Sequence, residues 1–303
     1  MFFRNLTMFR FPAALDLSEL ETRLAEFPMK PVGPLEVASR GFVPPLGVEG
    51  EELTHRGPDG LHAIWLTLGG EQKILPGPVV NELMAKRVAE LEKAQGRKPG
   101  GKTRKQMRED LVHELLPRAF VKPVRTDVLI DLRNSVVVVN TASRKAAENA
   151  VSEIRTALGS FPALPLNAEV SPRGVMTGWI AGEPLPEGLT IGEQCELKDP
   201  SDHGATVRCT NQDMGAEEIA RHLDAGKQVT KLGLNLDGHV SFVLGEDLIV
   251  RQFKLLDGAL DRMDRVDNED LRGELDARFA LMVGEFNRLF AVLEPALKLS
   301  RAE

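Results

Sequence analysis

The stretch that opens Lys73-Ile74-Leu75-Pro76-Gly77-Pro78 and closes Leu115-Leu116-Pro117-Arg118-Ala119-Phe120 organises the reading of this chain. Its first prolines end one element and suit the first turn of the next. Val80, Met84, Val88 and Leu91 then recur at helical spacing, which predicts a helix with one apolar stripe. Gly96 and Pro99-Gly100-Gly101 break it, and Met107, Leu111 and Leu115 mark a second helix that Pro117 stops. The pattern predicts an antiparallel helical hairpin, each helix roughly 20–25 Å long at 1.5 Å per residue.

The turn of that hairpin is strongly basic. Residues 93–108 hold seven cations (Lys93, Arg97, Lys98, Lys102, Arg104, Lys105 and Arg108) and no acid. The whole chain carries −7, so the rest of it sums to −14. A cationic stretch on an anionic body points to a polyanionic partner, against the plainer reading of a solvated basic loop.

Residues 96–103, Gly96-Arg97-Lys98-Pro99-Gly100-Gly101-Lys102-Thr103, match the phosphate-binding pattern GxxxxGK[ST]. That chemistry needs a buried strand entering the loop, so that backbone amides and a helix N-terminus face phosphate. The entering segment here is Lys86-Arg87-Val88-Ala89-Glu90-Leu91-Glu92-Lys93, charged and helix-periodic. The spelling is right and the context is wrong.

With 303 residues, the chain has room for two domains. Its 42% hydrophobic and 27% charged content predicts a globular protein. The apolar start is interrupted by Arg4 and Arg10, a poor signal sequence, and the run 136–139 is far too short to span a bilayer. Cys195 and Cys209 are expected to be free thiols of an intracellular protein unless the fold brings them together. The six histidines lack metal-ligand spacing, so no cofactor or metal is expected.

Along the chain, residues 2–11 read as a strand, and Ser18 with Glu21 as a capping box for a helix ending near Phe27. Gly41-Phe42-Val43-Pro44-Pro45 reads as a turn after a short strand. Pro58-Asp59-Gly60 reads as a hairpin turn, Gly69-Gly70 as a second turn, and 72–75 as a short strand. Strands are expected at 128–132 and 136–139 around Asn134-Ser135, then a helix capped by Ser143 that buries Ala147, Val151, Ile154 and Leu158. A sheet begun before the helical hairpin is thus finished after it, making the hairpin an insertion. The proline-rich segment 159–166 is the best boundary. Beyond it come a short helix around Trp179, strands at 195–197 and 205–209, and a helix over 216–225 closed by Gly226. A hairpin turning at Asp237-Gly238 and a helix over 267–297 follow.

Catalytic signals are weak. Asp257, Asp261, Asp264, Asp267, Glu269, Asp270 and Glu274 could hold catalytic Mg²⁺, yet Arg262, Arg265 and Arg272 interleave with them as on a solvated face. No serine or cysteine lies in a recognisable nucleophile context. A second basic set, Arg208, Arg221, Lys227 and Lys231 with Gln212, falls on short strands, a helix and turns. Such residues bind phosphate only if the fold lines them up on one surface.

These motifs accumulate into a resemblance. Lys73-Ile74-Leu75-Pro76, Leu115-Leu116-Pro117-Arg118-Ala119-Phe120, Leu158-Gly159-Ser160-Phe161-Pro162 and Pro165-Leu166 occur in order. They are followed by Val207-Arg208, Gln212-Asp213, Glu217-Glu218-Ile219, Ala225-Gly226-Lys227 and Val229-Thr230-Lys231-Leu232, with Phe279-Ala280-Leu281-Met282 and Glu285 closing the series. Nearly the whole chain resembles the bacterial recombination-associated RdgC family.

The resemblance implies a non-catalytic, largely sequence-independent binder of double-stranded DNA. In that family two crescent-shaped subunits close into a ring around DNA, associate with the nucleoid in the cytoplasm, and restrain RecA-driven strand exchange. The implied fold is α+β, with mixed and antiparallel sheets: a central domain of residues 1–75 and 118–165, an inserted helical tip of 76–117, and a base domain of 166–303. Phe120 is the implied apolar anchor of one dimer contact. The expected DNA-contacting residues are Arg97, Lys98, Lys102, Lys105, Arg118, Arg208, Gln212, Lys227 and Lys231. Two departures stand out: Thr210-Asn211 precede Gln212-Asp213 where family members carry a cation, and Pro99-Gly100-Gly101 replaces a more helical, charged connection. Two alternatives stay open, a nucleotide-binding protein using residues 96–103 and a protein–protein scaffold acting directly on the recombinase.

Overall fold

The structure, a computed structural model, describes residues 3–13, 15–47, 51–57, 60–201, 204–260 and 271–300. In chain order its first elements are β1 (Thr7–Arg10), α1 (Leu20–Ala25), β2 (Ala38–Val43), β3 (Thr54–Arg56) and β4 (Ala63–Ile74). Next come α2 (Gly77–Gln95), α3 (Gly101–Leu115), β5 (Phe120–Asp131), β6 (Val136–Val139) and α4 (Arg144–Leu158). Then follow β7 (Leu164–Pro165), α5 (Pro172–Ile180), β8 (Leu189–Lys198), β9 (Thr206–Thr210) and α6 (Glu217–Asp224). The last are β10 (Gln228–Leu236), β11 (Val240–Gly245), β12 (Val250–Leu255), α7 (Asp257–Leu260) and α8 (Leu271–Leu297). This is an α+β fold whose named strand pairs are antiparallel.

The chain divides into two compact units. The larger comprises residues 1–24, 44–67 and 126–303. Its centre is the run Val136-Val137-Val138-Val139, all four side chains buried, as expected for a strand covered on both faces. β6 pairs with β1 on one side (Thr7↔Val139) and β5 on the other (Val128↔Val139). A second sheet, in the order β12-β11-β10-β8-β9, is tied to the first where Leu6 and Val250 exchange backbone hydrogen bonds of 2.8 and 3.1 Å. Leu232, Leu234, Phe242, Phe253 and the α8 face of Phe279, Met282, Phe286 and Leu293 share one core with Trp65 and Leu129. Replacing a ring in such a core, as in Phe286→Ala, costs about 3–5 kcal/mol.

The hairpin turning at Asp237-Gly238 forms as the sequence predicts. Leu236 and Val240 are partners across Asp237, Gly238 and His239; the His239 amide donates to the Leu236 carbonyl at 2.9 Å, and the two central turn residues have positive φ (51° and 68°), as a type I′ turn requires. The β3–β4 hairpin also forms, pairing Thr54 with Leu66; Pro58 and Asp59 of its turn lie outside the described residues. Ser143 caps α4, accepting from the Ala146 amide at 3.3 Å. Ala147, Val151 and Ile154 are buried as expected, while Ala150 and Ala157 take the places that Leu158 was expected to share.

The smaller unit comprises residues 25–43 and 68–125. It contains β2, the outer halves of β4 and β5, and the two helices α2 and α3, which pack against each other. Gly96 closes α2 in the left-handed conformation (φ 64°), donating its amide to Glu92. Arg87 pairs with Glu114, and Arg108 Nη1 donates to Asn81 Oδ1 at 2.9 Å, so the helices run antiparallel. Only Val80 and Leu111 of their apolar stripes are buried; Met84, Val88, Leu91, Met107 and Leu115 stay half-buried. A pair of helices packed along one seam has no third surface to cover the rest.

Several local expectations are corrected. Gly69-Gly70 is not a turn: β4 runs unbroken through it. A Cβ on Gly69 would stand 2.6 Å from Val43 Cγ1, and one on Gly70 would stand 2.5 Å from the Ser39 carbonyl oxygen. The glycines thus let β2 approach, and the expected strand at 72–75 is only the end of β4. For the same reason Gly41, Phe42 and Val43 belong to β2, not to a turn. The Ser18–Glu21 capping box does not form, because the Glu21 carboxylate accepts from the Leu53 amide and Thr54 hydroxyl, both at 2.5 Å. β1 covers only Thr7–Arg10, and β5 begins at Phe120 rather than at 128.

Candidate nucleic-acid interface

The basic loop between α2 and α3 is built by its own composition. Pro99 and three glycines cannot continue a helix, so the chain breaks after Gln95 and restarts at Gly101. Lys93, Arg97, Lys98, Lys102, Arg104, Lys105 and Arg108 all expose their side chains there. Lys105 stands 4.0 Å from Glu109 on the next helical turn. Arg97, Lys98, Lys102 and Arg104 have no ion pair among the described residues. Arg97, Lys98, Lys102 and Lys105 are therefore gathered at one end of the helical pair. Arg118, in the 3-10 turn Leu116–Arg118, lies beyond the far end of α3, which at 1.5 Å per residue is about 22 Å long.

The element entering residues 96–103 is a helix, α2. A phosphate-binding loop of the GxxxxGK[ST] kind needs a strand there. The nucleotide-binding reading of these residues is overturned.

The second basic set is placed differently from expectation. Cross-strand register puts Glu196 of β8 opposite Arg208 of β9, and Lys231 of β10 beside it. Glu196 Oε2 accepts from Arg208 Nε at 2.7 Å and from Lys231 Nζ at 3.1 Å, and the Thr230 hydroxyl donates to Oε1 at 3.1 Å. Burial disfavours the charged form of Glu196, but the hydrogen bonds from Arg208, Lys231 and Thr230 outweigh it and hold the carboxyl below its ordinary pKa. Two cations that composition counts as available thus share one carboxylate. Arg221 pairs with Glu217 on α6 at 2.7 Å.

Among the described residues, Gln212 and Lys227 have no such partner. The Gln212 backbone N–H donates to the Glu193 carbonyl at 3.3 Å, and the residue lines a recess of about 460 Å³. An adjoining polar cavity of about 660 Å³ is lined by Gln194, Thr210, Asn211, Asn235 and Gln252 among others. Lys227 precedes β10, and the next residue, Gln228, pairs with Lys198 across the sheet. Sequence reading missed Lys198, because only strand pairing across thirty residues makes it a neighbour. Lys227 also draws the Asp199 carboxyl below its ordinary pKa, after the larger effect of hydrogen bonds from Ser201.

Phe120 is 84% exposed at the start of β5, in a stretch where Phe120 to Arg125 are all exposed. Strand alternation puts Lys122 and Val124 on the same face as Phe120. Lys122 is a further exposed cation that the sequence reading passed over.

Of the acidic series, Asp261, Asp264, Asp267, Glu269 and Asp270 lie outside the described residues. Glu274 pairs with Arg278 on α8. Among the described residues no group of three or more His, Cys, Asp or Glu side chains is placed to hold a metal ion, and no helix is long and apolar enough to cross a membrane. Glu285, which closes the series of family motifs, is buried beside His239 (3.0 Å to Nδ1) and Arg288, whose Nη2 reaches Asp237 at 2.5 Å. It fastens the Asp237-Gly238 turn to α8.

Comparison with known sequences places this α+β chain in a class of recombination-associated proteins. The chain belongs to the RdgC family, whose model, described as "Putative exonuclease, RdgC", matches residues 1–300. Three similar proteins are each named "Recombination-associated protein RdgC" and each align over the full length of both chains. They come from Xanthomonas campestris pv. campestris (61% identical), Xanthomonas axonopodis pv. citri (60%) and Stenotrophomonas maltophilia (57%).

Proposed function

We propose that this chain is a non-catalytic, largely sequence-independent binder of double-stranded DNA. It acts as a homodimeric ring that encircles the duplex, restrains RecA-mediated recombination and assists replication-fork processing at the nucleoid, in the cytoplasm. The observation that carries the reading is the loop of exposed cations between α2 and α3, with no acid from Lys93 to Arg108, in a chain of net charge −7. Backbone charge on DNA is the same for every sequence, so binding through it is indifferent to sequence and driven by counterion release. Arg97, Lys98, Lys102, Lys105, Arg118 and Lys227 are the phosphate contacts in this reading. Gln212 is a hydrogen-bond contact, and Arg208 and Lys231 contribute only when Glu196 releases them. Phe120 is the dimer anchor, and residues 76–117 and 166–303 serve as the tip and base domains that close the ring. The family membership supports the association with recombination.

Duplex affinity measured from about 50 to 200 mM salt tests the phosphate-tracking part. Six to ten phosphate contacts predict a loss of about 10³–10⁵ over that range. A response below tenfold would defeat it.

A further inference from the structure

The register of β8 against β9 makes Cys195 and Cys209, the chain's two cysteines, direct antiparallel partners. Both are free thiols. Such partners have Cα atoms about 4.5–5.5 Å apart, within the roughly 4.4–6.8 Å that a disulfide spans. As direct cross-strand partners, their side chains leave the same face of the sheet. Cys195 is 5% exposed within the core, whereas Cys209 is half-buried on β9, the outermost strand of its sheet. Cys195 is thus the more sheltered of the two, and Cys209 the more accessible.

We propose that Cys195 and Cys209 are a redox modification site, forming a reversible cross-strand disulfide when the protein meets peroxide. Cys209 reacts first: its sulfur attacks one oxygen of hydrogen peroxide, the O–O bond breaks, the leaving hydroxide takes the thiol proton as water, and a sulfenic acid forms. The Cys195 sulfur then attacks the Cys209 sulfur. The S–O bond breaks, and the hydroxyl leaves with the Cys195 proton as water. Two thiols and one peroxide give one disulfide and two waters; the sulfurs lose two electrons and the peroxide oxygens gain them. Burial, reinforced by Cys209, pushes the Cys195 thiol up to about 12. It is therefore not the first nucleophile, and as the resolving partner it gives up its proton to the departing hydroxyl. The bridge fixes β9, the strand that carries Arg208 and leads through Thr210-Asn211 to Gln212.

The test uses the full chain, reduced, freed of reductant and treated with stoichiometric hydrogen peroxide. Peptide mass mapping after alkylation should find the peptides holding Cys195 and Cys209 joined and two hydrogens lighter, with neither cysteine alkylated and dithiothreitol restoring both. Melting should show the oxidised form higher by about 5 °C, the order expected for closing a loop of this length. Cys209→Ser should abolish both effects, and Cys195→Ala should stop at a Cys209 sulfenic acid trapped by dimedone. Two alkylatable cysteines after peroxide, a disulfide between chains, or Cys209 passing to sulfinic acid while Cys195 stays free would each overturn the assignment.

Discussion

Arg208 Nε lies 2.7 Å from Glu196 Oε2, so the one cation of β9 is already paired within its own chain. Lys231 shares the same oxygen at 3.1 Å. Of the cations in the second basic set, Lys227 is the one with no ion pair among the described residues, and in the proposed reading the interhelical loop makes most of the phosphate contacts.

Glu196→Gln keeps the shape of the side chain and removes its charge. Arg208 and Lys231 then become available to phosphate. Duplex affinity in fluorescence anisotropy should tighten by about 3–10-fold, and the log–log salt dependence should steepen by nearly 2, at 0.9 per added phosphate contact. Unchanged affinity with a preserved melting temperature would remove both residues from the binding surface.

Replacing Arg97, Lys98, Lys102 and Lys105 together by Gln deletes exposed cations without touching a buried side chain. Melting temperature should hold within experimental error. The salt slope should flatten by about 3–4 contacts' worth, and affinity at low salt should fall by at least tenfold. Equal effects on every duplex sequence are expected, since phosphates carry no sequence information.

Phe120→Ala removes a ring that is 84% exposed, so the subunit's own stability should change by less than about 0.5 kcal/mol. Sedimentation should instead show a weaker dimer, by about tenfold or more if the ring is a buried anchor in the assembly. A dimer of unaltered strength would place the subunit contact elsewhere.

His55 supplies a pH test of the larger unit. It is 3% exposed, edge-on to Trp65 and Phe279, and 2.9 Å from Asp276. Burial lowers its pKa more than Asp276 raises it. The unfolded chain therefore binds the extra proton more readily than the fold does. Stability is fully present above the ordinary histidine pKa of about 6.5 and is lost as pH falls below it. Melting temperature should drop between about pH 7.5 and 5.5, and His55→Gln should flatten that dependence.

How legible the chain was depends on the range of each interaction. Asp237-Gly238, Gly96 and Ser143 act on their immediate neighbours, and the sequence places all three correctly. Gly69-Gly70 reads as a turn because its true reason, the close approach of Val43 and Ser39, lies across a strand pair. Glu21 has the spacing of a cap, yet its carboxylate bonds to Leu53 and Thr54 some thirty residues away. The same limit governs the candidate interface. The interhelical cations are contiguous and could be counted directly, whereas the neutralisation of Arg208 and Lys231 by Glu196 exists only once β8, β9 and β10 are in register. Cys195 and Cys209 likewise become a pair only through that register.

Encirclement is tested most directly by challenging the protein bound to covalently closed circular duplex and to the same DNA linearised, then washing both in high salt. A ring held by topology stays on the closed circle and slides off the free ends, and cutting the circle afterwards releases it. Equal loss from circle and line would show side-on adhesion and contradict the account.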